Sequence, residues 1–294
     1  VLERTPQRMH WSLVVSLAAL ACIELLPPKL LLTSSQLHPY YQGLVGQAGA
    51  VMDLPPRMEG SEPLEAQMIH GLPIMGGFVS RMPFYPFAEY TPAIRDLWAM
   101  QLGNYTLIPS GKDNALAIFN TYDVRHVLIH WSDIPSRQRK TLRQALAEVL
   151  PDIRPIFEDE NLTAYRIPEV KPQTFAFFRT GWYTQEYDQQ RRWRWMTERG
   201  EIMINNPHPI PQPMQLTLKA QSYTETSDVR YSFNQTPAGI WHVTRNTSIL
   251  TLYVLLPPGE SHIWFEAPTS TEQAFSKRDL SIVIVDQNVV FGEN

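Results

Sequence analysis

Two stretches of this 294-residue sequence concentrate side chains able to hold a ligand. The first, residues 70–81, reads HGLPIMGGFVSR. Gly76 and Gly77 let backbone N–H groups converge, and with His70 and Arg81 they make a candidate cradle for an anionic group such as a lipid-linked phosphate. The competing reading is a tight turn at Gly76-Gly77 with Arg81 paired to a carboxylate. No Walker lysine and no GxGxxG spacing is present, so nucleotide binding is not supported. The second stretch, residues 181–195, reads GWYTQEYDQQRRWRW. In a strand, Trp193 and Trp195 share one face and Arg192 and Arg194 the other. Read structurally, the tryptophans fill a core while the arginines face water or pair with Glu186 and Asp188. Read functionally, a sugar stacks on an exposed Trp182 or Tyr183 while charged groups such as Glu186, Arg192 and Arg194 bond its hydroxyls. A hydrolytic pair of carboxylates needs a set separation and one raised pKa, and neither can be read from Glu186 and Asp188.

Other chemistries find less support. His126 and His130 are four residues apart in VRHVLIH, a metal-binding spacing only on a helix; in a strand they merely share a face. The single cysteine, Cys22, permits no internal disulfide and no Cys-based metal site. No serine sits in a nucleophile elbow. No catalytic residue, metal or cofactor is therefore expected. The net charge of −4 is spread along the chain, leaving no basic face for nucleic acid.

These stretches need elements to position them. The run at 11–32, WSLVVSLAALACIELLPPKLLL, is almost wholly apolar, with Glu24 and Lys29 as its charges. A helix over 11–26 spans roughly 24 Å, short of the bilayer core, whereas continuing to residue 32 reaches about 33 Å and suffices. Arg4, Arg8 and His10 precede it, so by the positive-inside rule the bulk of the chain lies outside the cytoplasm. A signal peptide or a buried helix are the rival readings. From 36 to 170, strands at 50–54, 124–130, 153–157 and 162–167 alternate with helices at 40–49, 62–69, 92–102, 114–122 and 136–150, which argues for an α/β layer. Thr91 and Ser136 are the expected N-caps of the 92–102 and 136–150 helices. The proline-rich stretch 168–172 reads as a boundary. From 171 to 294, helical periodicity gives way to seven or so short strands, the pattern of a β-sandwich.

Several stretches together resemble a known family. AVMDLPP, QMIHGLPIMGGFVSR, YDVRHVLIHWSD and FEDENLTAYRI are similar to the C-terminal outer region of large multi-helix bacterial membrane glycosyltransferases that use polyprenyl-phosphate sugars. GWYTQEYDQQRRWRWM and LPPGESHIWFEAP resemble the sandwich closing the same proteins. The likeness runs from the apolar segment almost to Phe291. In those enzymes the catalytic acids lie between early membrane helices that this sequence does not contain, so no catalytic residue carries over. The expectation is a mixed α+β chain: a cytoplasmic stub and one N-terminal transmembrane helix (together 1–35), an α/β domain (36–170) and a jelly-roll-like β-sandwich (171–294). Its function would be accessory, assisting acceptor or glycan binding. The alternative is a non-catalytic, membrane-anchored envelope protein whose sandwich binds carbohydrate or a protein. Expected partners are the bilayer, a glycan or polyprenyl-phosphate sugar, and other membrane helices.

Overall fold

The computed structural model describes residues 14–21, 37–56, 61–76, 86–107, 112–272 and 277–292. Val1–Gln36 and Leu37–Asn294 are two compact units. In the first, residues 14–21 are helical with exposed side chains. No described helix is long and apolar enough to cross a membrane, and the rest of the expected 11–32 anchor lies outside the described residues.

The second unit begins with a mixed five-stranded sheet. Its strands are β1 (Ala50–Leu54), β2 (Ile74–Met75), β3 (Val124–His130), β4 (Phe157–Glu158) and β5 (Leu162–Arg166), in the order β2-β1-β3-β5-β4. β1 runs parallel to β2 and β3, while β5 runs antiparallel to β3 and β4. Helices are α1 (Glu62–His70), α2 (Pro86–Tyr90), α3 (Ile94–Trp98), α4 (Lys112–Thr121) and α5 (Ser136–Val149). Alternation along each strand sends successive side chains to opposite faces. Met52, Leu54, Val127 and Ile129 pack with α3, α4 and α5. Val51 and Leu128 pack on the other face with Tyr41, Leu44, Ala66 and Leu72. In α5 the buried residues Leu142, Ala145, Leu146 and Val149 fall on one stripe, each Leu or Val contributing roughly 1.5–3 kcal/mol by burial.

Local backbone chemistry shortens several expected elements. A 3-10 turn, Pro39–Leu44, replaces the helix read at 40–49, because Gly46 and Gly49 adopt positive φ just beyond it. The helix read at 92–102 shortens to α3, which begins only after a γ-turn at Ala93 (φ 63°, ψ −54°) in which Ile94 N–H donates to Pro92 O. Neither expected N-cap serves as one: Ala93 stands at the cap of α3, and Pro135 at that of α5, where Ser136 is already helical.

The remaining strands are β6 (Phe175–Phe178), β7 (Glu186–Tyr187), β8 (Arg192–Trp195), β9 (Arg199–Asn206), β10 (Gln212–Ser222), β11 (Thr226–Phe233), β12 (Thr236–Thr244), β13 (Ser248–Leu256), β14 (Gly259–Glu266), β15 (Ser270–Thr271), β16 (Asp279–Leu280) and β17 (Ile282–Phe291). Two antiparallel five-stranded sheets, β13-β10-β17-β8-β7 and β12-β11-β14-β9-β6, form a β-sandwich, with a small β15-β16 ribbon beside them. Leu216, Leu218 and Ile284 from one sheet meet Ile202, Val229 and Phe265 from the other. The Pro-rich run after Asn206 is a loop as far as Pro211, where its prolines interrupt pairing, and β10 then starts at Gln212.

The two layers of this unit interlock at β6. Phe175 and Phe177 belong to the α/β core, whereas Ala176 and Phe178 belong to the sandwich core. The 103–107 segment adds to the same edge: Leu107 N–H donates to Ala176 O at 3.0 Å, and Phe178 N–H to Tyr105 O at 2.8 Å.

Candidate functional site

Residues 181–195 are organised by one tight passage and one hairpin. Gly181 has φ +77°, and a Cβ built there would lie 1.6 Å from the Arg199 carbonyl oxygen. That close approach turns Trp182 into the core and brings Tyr183 outward. Gly181→Ala is expected to cost more than about 3 kcal/mol, through strain and clash together, measured as a fall in the urea midpoint.

The exposed Trp182 expected from the sequence is corrected by its surroundings. It is 6% exposed, edge-on to Phe178 and Phe265, and its Nε1–H donates to Glu201 O at 2.9 Å. The Glu201 carboxylate, 1% exposed, accepts from Arg179 Nη1 (2.9 Å) and Thr180 Oγ1 (2.9 Å) and lies 2.7 Å from His262 Nδ1.

Strand alternation in β8 is as the sequence predicts, but its polarity is inverted. Arg194 points inward and is 2% exposed, donating to the carbonyls of Tyr183, Asn104 and Gly103. Its guanidinium lies 4.5 Å from the Tyr105 centroid and 5.0 Å from that of Phe178. It is turned away from solvent, and its acceptors are these carbonyls rather than Glu186 or Asp188. The reason is the 103–107 segment: its carbonyls end beside β8 and need donors, a demand that no local pattern around Arg194 announces.

Trp193 and Trp195 consequently face outward, half-buried rather than in the core. They line a hollow of about 240 Å³ with Val283 and Val285 of β17, and with Arg191, Arg192 and Gln221 as polar members. The β7–β8 hairpin pairs Glu186 with Trp193 and Tyr187 with Arg192. Its turn is fixed by Asp188, whose Oδ1 accepts the N–H groups of Gln190 and Arg191 and whose carboxyl is thereby held below the ordinary range. Glu186 Oε2 accepts from Trp193 Nε1 at 3.0 Å. Its other oxygen binds Arg278, which lies 5.2 Å from the Tyr183 ring centroid and also bonds Glu272. Trp195 is braced edge-on by Tyr223 at 5.6 Å. The structure thus puts Arg192 on the hollow, ties Glu186 to its Trp193 and leaves Tyr183 beside Arg278, and it removes Trp182 and Arg194 to the interior. The signal the sequence offered for the two tryptophans was their i, i+2 spacing, which fixes a shared face but not which face is wet.

A larger cleft of about 640 Å³ lies on the other sheet, between β11, β12 and β14. There the Arg199 guanidinium sits 4.1 Å from the Trp264 centroid and pairs with Glu266 at 3.4 Å, while Arg230 reaches the same carboxylate at 3.8 Å. The indole face is already covered.

His70 ends α1 and is 5% exposed. Gly76 has φ +96°, as a turn requires, while Gly77 and Arg81 lie outside the described residues. The anion cradle read at 70–81 is therefore described only at His70 and Gly76. His126 and His130 share a strand face, and His126 Nε2 lies 3.1 Å from Ala48 O. Among the described residues no group of three His, Cys, Asp or Glu side chains is placed to hold a metal ion.

No known protein family matches the chain, and no curated protein matches it in sequence. Solved structures give partial likenesses. A family 35 carbohydrate-binding module from Clostridium thermocellum is 12% identical at a TM-score of 0.26, covering 39% of this chain and 90% of that one. A CBM35 from Paenibacillus barcinonensis is 9% identical at 0.26, covering 42% and 99%. An isomalto-dextranase from Arthrobacter globiformis, complexed with panose, is 9% identical at 0.28, covering 45% and 26%. TM-scores this low establish no shared fold.

Proposed function

We propose that this chain is a non-catalytic carbohydrate-binding protein of the cell envelope, with its ligand seated in the Trp193–Trp195 hollow. The observation that supports this most directly is the pair of outward tryptophans, braced by Glu186 and Tyr223 and bordered by Arg191, Arg192 and Gln221. A sugar ring offers an apolar C–H face and a rim of hydroxyls. Braced indoles supply the matching apolar surface at little entropic cost, and arginine and amide groups supply donors.

In this reading the 11–32 run is the anchor, and residues 37–294 stand outside the cytoplasm. The resemblance of AVMDLPP, VRHVLIH and GWYTQEYDQQRRWRWM to the outer part of multi-helix glycosyltransferases supports a place beside such an enzyme. There the hollow would hold an acceptor glycan or the sugar of a polyprenyl-phosphate donor.

Glycan-array screening of the full chain, followed by titration calorimetry with the best oligosaccharide, tests the reading. Trp195→Ala and Trp193→Ala are each expected to weaken binding about tenfold or more, with far-UV circular dichroism unchanged. Binding to no glycan, or binding that both substitutions leave intact, overturns it. Trp182→Ala is unsuitable here, because that indole is part of the core.

A further inference from the structure

The α/β layer carries a second constellation that the hollow does not use. In the order β2-β1-β3, the chain leaves β1 toward β2 on one side and reaches β3 on the other. In open α/β sheets with this order, the carboxyl ends of β1 and β3 flank the crevice where ligands bind. Asp53 is the penultimate residue of β1, and His130 is the last of β3. Alternation puts both on the face covered by the 3-10 turn and α1.

Four side chains converge there, each nearly buried: Tyr41 and Asp53 at 3% exposure, His70 at 5% and His130 at 7%. Tyr41 Oη–H donates to Asp53 Oδ1 at 2.9 Å. His130 Nε2 lies 3.0 Å from Tyr41 Oη and 3.2 Å from the same carboxylate oxygen. The imidazoles of His70 and His130 flank Tyr41, with centroids 5.9 and 6.1 Å away and both rings inclined by 25°. His70 Nδ1 accepts the Leu72 N–H at 2.9 Å. That assigns the ring proton of the neutral imidazole to Nε2, where burial favours the neutral form over the weaker opposing pull of Asp53. This Nε2 is buried with no hydrogen-bond partner among the described residues. A buried N–H left without an acceptor is costly, and the three neighbouring polar groups are otherwise tied together.

The chemistry of the missing acceptor is constrained by Asp53. Among the described residues His130 supplies this carboxylate's salt bridge, with no Lys or Arg beside it. A second negative charge here would be repelled at low dielectric. A hydroxyl meets both demands, because it accepts from an N–H and donates to a carboxylate. We propose that the carboxyl ends of β1 and β3 form a binding site for a hydroxyl-bearing ligand, a sugar ring or polyol, recognised by His70 Nε2–H and Asp53. The site lies on a different sheet from the tryptophan hollow and does not require the hollow to bind.

Long-range 1H–15N spectra of the histidine rings in the full-length protein test this directly. The probes are methyl glucoside, methyl galactoside, methyl mannoside, N-acetylglucosamine and glycerol, with inorganic phosphate as a separate arm. At least one hydroxylic probe is expected to shift the His70 Nε2 resonance of the wild-type protein. His70→Phe and Asp53→Asn should weaken that probe about 10- to 100-fold, the value of a hydrogen bond to a charged or buried group, whereas Trp195→Ala should leave it unchanged. A His70 signal moved by phosphate but by no hydroxylic probe overturns the proposal, as does a signal moved by none of them. Probes that perturb only the Trp193 and Trp195 indole N–H signals overturn it while leaving the sandwich reading intact. The wild-type spectrum decides these outcomes even if a variant fails to fold.

Discussion

Arg194→Ala is expected to destabilise the folded chain by about 3–5 kcal/mol, seen as a large drop in the urea midpoint at neutral pH. Burial pushes the guanidinium down to about 10, yet it stays charged at pH 7. What compensates the lost hydration is a set of three carbonyl acceptors, from Tyr183, Asn104 and Gly103, and two ring faces. Alanine removes the donors while the carbonyls stay buried, and it opens a cavity between Tyr105 and Phe178. Arg194→Lys should recover little, because an ammonium cannot serve acceptors spread across a planar fork. Arg194→Met should lose less than alanine, since it fills the space and removes the cost of a buried charge. A wild-type midpoint for Arg194→Ala would show that this network does not hold the 103–107 segment to the sandwich.

The second large effect is at Glu201. Glu201→Ala strands Arg179, Thr180 and His262 at once. Loss of one partner from a buried ion pair costs about 3–5 kcal/mol. Because Arg179 and His262 retain 28% and 29% side-chain exposure, they can rehydrate in part, so about 2–4 kcal/mol is expected. The sign with pH follows from the carboxyl. Burial alone would raise its pKa, but hydrogen bonds from His262, Arg179 and Thr180 bring it below the ordinary glutamate value. The unfolded chain, titrating near 4.3, therefore takes up this proton first as pH falls. The stabilisation is complete above about pH 4.3 and is lost as the pH drops toward the folded value. Urea midpoints of wild type and Glu201→Gln between pH 7 and pH 3 should converge at the acid end; a constant gap would exclude this linkage.

The layered architecture was legible in the sequence because it rests on period. VRHVLIH had to be a strand, and the stripe of Leu142, Leu146 and Val149 had to be a helix face. Strands after residue 175 followed from two-residue alternation and turn residues. What alternation cannot say is which face of a strand is wet, and β8 shows the cost: the sequence places Trp193 with Trp195 and Arg192 with Arg194, but Tyr105 and the carbonyls of 103–104, some 90 positions earlier, decide that Arg194 goes inside. The strand-end cluster was hidden for a similar reason. His70 drew notice as part of a glycine-rich loop, and His126 and His130 as a pair four apart. Asp53 and Tyr41 drew none, since each looks ordinary until β1, β3 and the 3-10 turn are brought together. Ala93 in a γ-turn has no residue-type signature at all.

β6 has a consequence for how this protein comes apart. Its phenylalanines alternate between two interiors, so neither interior can be opened without stripping aromatic surface from the other. Heat should find no internal seam, and the 37–294 body should melt as one cooperative event. A protease that nicks the proline-rich 168–172 stretch would leave two fragments still clasped together, each holding what the other needs to stay dry.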